Sequence, residues 1–149
     1  MKEFFAAMYE SLFGVYHASY PEIFTTLYDF GGYVKLGLLF IGLPLLFWFL
    51  FYYLWRYPYG RVWHWLLWLL MSAVTVLVVT WLVADKAIFE SGNQALADAL
   101  GDPESGYKAY ASGLPIRYAL INSGLSVGVG FVMSLIMKQF SKIQMHLPF

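Results

Sequence analysis

The sequence predicts an all-α integral membrane protein, with three transmembrane helices preceded by amphipathic interfacial N-terminal helices. Three observations carry this expectation. Of the 149 residues, 60% are hydrophobic and 12% charged, against about 25% charged in soluble domains, so a soluble chain of this size would lack the polar residues to coat itself. Three apolar runs each reach the length needed to cross a hydrocarbon core of about 30 Å. Aromatic residues make up 21%, and Trp and Tyr gather at the ends of the runs, where a ring with one polar atom is stable at the membrane–water interface.

Residues 1–35 form an amphipathic N-terminal region. Glu3, Glu10 and His17 recur every seven residues, with Phe4, Phe5, Met8, Tyr9, Leu12, Phe13 and Tyr16 opposite. The pattern predicts a helix over 2–18, too short to span and suited to the interface. Ser19, Tyr20 and Pro21 break it. Over 21–30, Glu22, Thr25, Thr26 and Asp29 share a second polar face against Ile23, Phe24, Leu27 and Tyr28. Both pieces suit either a lipid surface or a partner protein. Gly31 and Gly32 form the hinge into the membrane. No cleavable signal peptide is visible, so the first span is expected to direct insertion.

Residues 36–149 form a three-helix membrane domain. The first span, 36–55, holds 20 residues without a charge, about 30 Å of helix. Pro44 deprives the Phe40 carbonyl of its usual donor and predicts a packing kink. Pro58 and Gly60 make 56–61 a tight turn, so the first two spans are antiparallel neighbours. The second span, 62–84, is closed by Asp85 and Lys86. Its valines would suggest a strand in water, but in lipid only a helix satisfies its own backbone. Tyr52, Tyr53 and Trp55 with Trp63, Trp65 and Trp68 form one interfacial belt of anchors.

The outer loop, 85–116, reads as two short surface helices. One covers 93–100 and is ended by Gly101. The other starts at Asp102, Pro103 and Glu104 and is stopped by Ser112, Gly113, Leu114 and Pro115. The third span, 118–137, differs in character. Asn122, Ser123, Gly124, Ser126, Gly128, Gly130 and Ser134 are all small or polar. Gly124 and Gly128 form a GxxxG pair, and small residues at that spacing let another backbone approach closely. This face either packs helices or, in an oligomer, lines a pore.

Orientation follows from basic density. Arg56, Arg61, Lys138 and Lys142 lie in two short segments, the turn and the C-terminal tail, which hold no acid. All nine acidic residues and five basic ones are on the other side, over a much longer stretch. The positive-inside rule places the N-terminus outside and the C-terminus in the cytoplasm, in a plasma or inner membrane.

Chemistry is harder to find. The absence of cysteine excludes disulfides and thiolate sites, and zero net charge gives no reason to expect nucleic acid as a partner. No phosphate-cradling loop or HExxH motif occurs. His17, His64 and His146 are widely separated in sequence, and His64 reads as part of the aromatic belt. The centre of each span is free of ionisable residues, unlike pumps and most ion-coupled transporters. No catalytic residue, metal or cofactor is therefore expected, nor enzymatic activity. The expected partners are the bilayer and other membrane proteins, in a homo- or hetero-oligomer. The reading is a non-enzymatic membrane subunit or anchor that assembles with itself or with partners. A homo-oligomeric pore is the alternative: three spans, N-out and C-in, with a basic C-terminal end resemble the layout of three-span phage holins, from which the long aromatic N-terminal segment and the outer loop depart. A cofactor-bearing membrane subunit is the third option.

Overall fold

The computed structural model describes residues 1–55 and 62–141. All regular structure among them is helical. Helix α1 (Lys2–Ala7) continues as a wider π turn, Met8–Leu12, and α2 covers Pro21–Asp29. Helix α3 (Gly32–Phe49) likewise runs on as a π turn, Leu50–Leu54. Then come α4 (Val62–Phe89), α5 (Gln94–Gly101) and α6 (Tyr107–Phe140). Three stretches are long and apolar enough to cross a membrane: Gly32–Leu54, Val62–Phe89 and Tyr107–Phe140. They contain the three expected runs, apart from Trp55, which falls just past the first. Pro44 lies buried within α3 without ending it. The turn 56–61 and its Arg56 and Arg61, like Lys142 and His146 of the tail, lie outside the described residues.

The outer loop corrects the sequence reading. Asp102, Pro103 and Glu104 do not start a helix. Asp102 Oδ1 accepts from the Glu104 amide at 3.0 Å and Ser105 Oγ donates to the carbonyls of Ala99 and Asp102, which closes a turn instead. Helix α6 begins after Gly106, whose φ of 72° favours glycine. It then runs through Ser112, Gly113, Leu114 and Pro115 without a stop. An interior proline costs ~3 kcal/mol, but Ala111, Leu114, Pro115 and Tyr118 are all buried against the rest of the chain, and that packing holds the helix together across the missing donor. The second loop helix and the third span are therefore one element.

Helices α4 and α6 form the most extensive contact, with α3 laid against both. On α4 the buried positions Ser72, Val76, Thr80, Ala84 and Ile88 recur every fourth residue, a stripe of mostly small and β-branched side chains that admits α6 closely. At 28 and 34 residues, α4 and α6 are about 42 and 51 Å long, well beyond a ~30 Å core. Around their joined ends α2 packs on α3, α4 and α5, and α5 packs on α6.

The N-terminal segment docks on the chain's own helices. The Phe5 ring occupies the space beside Gly37, where an added Cβ would sit 2.3 Å from it, and makes an edge contact with Phe40. Phe5, Ala6 and Tyr9 are buried, whereas Phe4 is 67% and Leu12 74% exposed. Glu10 turns inward and is half-buried. The seven-residue polar stripe thus does not mark the outer face of this segment. His17 lies past the helix, beyond Gly14 at φ 60°. In α2 the expected division is closer: Ile23, Phe24 and Leu27 are buried, Thr25 and Asp29 exposed. Tyr28 and Thr26 depart from it: Tyr28 is exposed, and Thr26 is buried and bonded to the Glu22 carbonyl and to Asn93.

Candidate functional site along the inner face of the third span

The polar residues of α6 divide between two faces. Residues Tyr118, Asn122, Ser126, Gly130 and Ser134 are buried and follow one another at four-residue spacing. They face α3 and α4, and form a polar seam through the bundle. Gly124 and Gly128 point the other way and have no atom within 4 Å of the position a Cβ would take. Ser123 is half-buried and donates to the Ala73 carbonyl at 3.0 Å. The seven residues marked in the sequence therefore do not act as one surface, because positions two apart on a helix are about 200° apart.

At one end of the seam Asn122 joins four segments. Its Oδ1 accepts from the Tyr9 hydroxyl at 2.6 Å. Its Nδ2 donates to the Leu36 carbonyl at 2.8 Å and to Thr80 Oγ1 at 3.2 Å. The Leu36 carbonyl, which can only accept, fixes which way the amide faces and leaves Oδ1 to the Tyr9 hydroxyl. Burial raises the Tyr9 pKa above the ordinary phenol value even though the Asn122 bond opposes it, so the hydroxyl keeps the proton it donates. Tyr9 also stacks on Tyr33 and meets Tyr118 edge-on. Tyr33 donates to Glu10 Oε1 at 2.5 Å. The N-terminal segment thus carries a carboxylate to the edge of this aromatic cluster. Glu10 also lines an open cavity between α1 and α2, with Glu3, Tyr16 and Thr25.

At the other end Ser134 takes the Trp65 indole N–H at 2.7 Å and shares a hydrogen bond of 2.8 Å with Tyr52. Ser141 Oγ donates to the Tyr52 carbonyl at 2.7 Å, tying the end of α6 to the π turn of α3. Tyr52 and Trp65 are consequently buried inside the bundle, which corrects their reading as interfacial anchors. An indole or phenol whose polar atom finds a partner in the protein need not turn to the headgroups. Trp63 at 73% exposure, Trp55 and Leu54 do face outward, while Tyr53 and Trp68 are half-buried. Lys138 lies in the last turn of α6.

Between the two ends the seam is less well satisfied. Ser126 Oγ donates back to the Ser123 carbonyl within its own helix. The Trp48 indole N–H and Ser72 Oγ are buried with no hydrogen-bond partner among the described residues, each at a cost of about 1–3 kcal/mol. Trp48 reaches this depth because Gly130 has no side chain: a Cβ there would lie 2.7 Å from Trp48 Nε1.

Among the described residues no three of His, Asp and Glu stand together as metal ligands would. His17 packs against Tyr20 and Tyr110, at the opposite end of the chain's long helices from His64. Thr80, Tyr9 and Glu10 join the seam without the sequence having singled them out for it. Four-residue spacing from Ser72 could have found Thr80. Nothing local could have found Tyr9 and Glu10, since nothing local shows that the first helix folds back onto the last. Comparison with known protein families, curated proteins and solved structures finds no match for the chain.

Proposed function

We propose that the protein is a non-enzymatic three-span membrane subunit that assembles with itself or with partner membrane proteins through the outward face of α6. The observation that carries this reading is the open pair Gly124 and Gly128, which leaves bare backbone on a helix whose polar side is already used inside the chain. Such a surface lets a second helix approach closely in lipid, where packing rather than the hydrophobic effect drives association. Leu120, Val127, Phe131 and Leu135 are exposed on the same helix and supply apolar flanks. A pore lined by Asn122, Ser123, Ser126 and Ser134 has less support, because those side chains hydrogen-bond within the chain and three of them are buried there. In this reading the N-terminus is outside and the C-terminus cytoplasmic.

The test is the mass and composition of the tagged protein extracted gently from its own membrane, for the wild type and for Gly128→Leu. The expected result is a multi-chain particle that shrinks or dissociates in the variant. A wild-type particle of one chain alone, or an unchanged Gly128→Leu particle, would sink the reading.

A further inference from the structure

We propose that a cavity between α2, α3 and α4 holds the headgroup of a phospholipid bearing both a phosphodiester and a primary ammonium, the phosphatidylethanolamine type. The cavity measures ≈ 340 Å³, at the small end for ligand sites and suited to a headgroup more than to a whole lipid. Its walls carry Lys35 from α3, Lys86 and Glu90 from α4, and Thr26 from α2, over an apolar side that includes Phe30 and Val83.

Depth and charge together name the ligand. Lys35 immediately precedes the charge-free run 36–55, and Lys86 follows the run 62–84 by two positions. In antiparallel helices these positions fall at one level, the edge of the hydrocarbon, where phosphates of the leaflet lie. A lone interfacial lysine extends to the headgroups from any helix end. Here two from neighbouring helices line one hollow, as in basic pockets between spans that hold anionic headgroups. Glu90 stands one helical turn beyond Lys86, away from the hydrocarbon. A phosphate between the two ammonium groups would leave its ethanolamine amine reaching outward toward that carboxylate. A choline lacks the N–H to donate to Glu90, and a glycerol headgroup lacks the positive charge. Val83, about one helical turn from Lys86 toward the hydrocarbon, lines the wall along which the first acyl carbons would descend. The inference rests on membrane placement of the three helices and not on assembly through α6.

The experiment is native mass spectrometry of the delipidated full chain offered phosphatidylethanolamine, phosphatidylcholine and phosphatidylglycerol with identical acyl chains. The expected result is preferential retention of the ethanolamine lipid, reduced about tenfold in Lys35→Gln/Lys86→Gln, since the two exposed ammonium contacts to the phosphate are screened by solvent. Glu90→Gln is expected to narrow the preference for ethanolamine over choline, while Lys108→Gln, outside the cavity, leaves retention unchanged. All of these side chains are solvent-exposed, and circular dichroism checks that each variant stays folded. Equal retention of the three lipids, or binding indifferent to the lysine pair in folded protein, overturns the proposal. Displacement of the lipid by an equal concentration of water-soluble glycerophosphoethanolamine also overturns it, by showing that the acyl chains contribute nothing.

Discussion

Asn122 engages its whole amide with Tyr9, Leu36 and Thr80, side chains and backbone from three other segments. Interhelical hydrogen bonds in membranes are individually modest, from ~0.6 to about 2 kcal/mol, but losing this amide strands several groups at once. Asn122→Leu should lower stability by about 1–2 kcal/mol, and Tyr9→Phe by roughly half as much. Denaturant titration in mixed micelles measures both, and equal midpoints for all three proteins would refute the assigned network. The glycines give a sharper contrast. Gly130→Ala places a methyl 2.7 Å from Trp48 Nε1, and Gly37→Ala places one within the Phe5 ring, whereas at Gly128 the same change meets nothing. The first two variants should unfold at lower denaturant and Gly128→Ala at or above the wild-type midpoint, since alanine is the better helix former. The sequence made these residues visible as small or polar but gave no sign of which face each served. That distinction is angular, and it needs the position of the neighbouring helices.

At the scale of elements, the three helices long and apolar enough to cross a membrane were legible because a charge-free run of bilayer length has few alternatives. Their ends were not. Pro115 follows Ser112 and Gly113, a sequence that reads as a stop, yet α6 passes through it because Ala111, Leu114 and Tyr118 pack inward on both sides. Hydrogen exchange should therefore find protection continuing from the main span into 111–114, with rapid exchange at 102–105. Fast exchange across 107–115 would restore two separate helices. The N-terminal segment was legible as a short helix, but its polar stripe misled, since Glu10 has a partner in Tyr33 while Phe4 and Leu12 are exposed.

For the whole molecule, the absence of cysteine gives an unmodified background for topology mapping. Single substitutions Thr25→Cys and Ser112→Cys sit on exposed positions at one end of the bundle, and Gln139→Cys at the other. A membrane-impermeant maleimide added to intact cells should label the first two and spare the third. Labelling of Gln139→Cys alone would invert the orientation, and labelling of all three would contradict three crossings.

The bond between Tyr9 and Asn122 joins residues 113 positions apart. Tyr9 is thus made well before the residue that holds its hydroxyl, and at ~5–20 residues per second it must wait roughly 6–23 s for that partner. During that interval Phe5 and Glu10 can already meet α3, at Gly37 and Tyr33, while the Tyr9 hydroxyl waits for Asn122. A nascent chain stopped before α6 keeps two apolar helices and an N-terminal segment docked on α3 alone, with that hydroxyl unsatisfied. A half-seated segment of this kind would mark the molecule as unfinished to a membrane protease or an insertion chaperone.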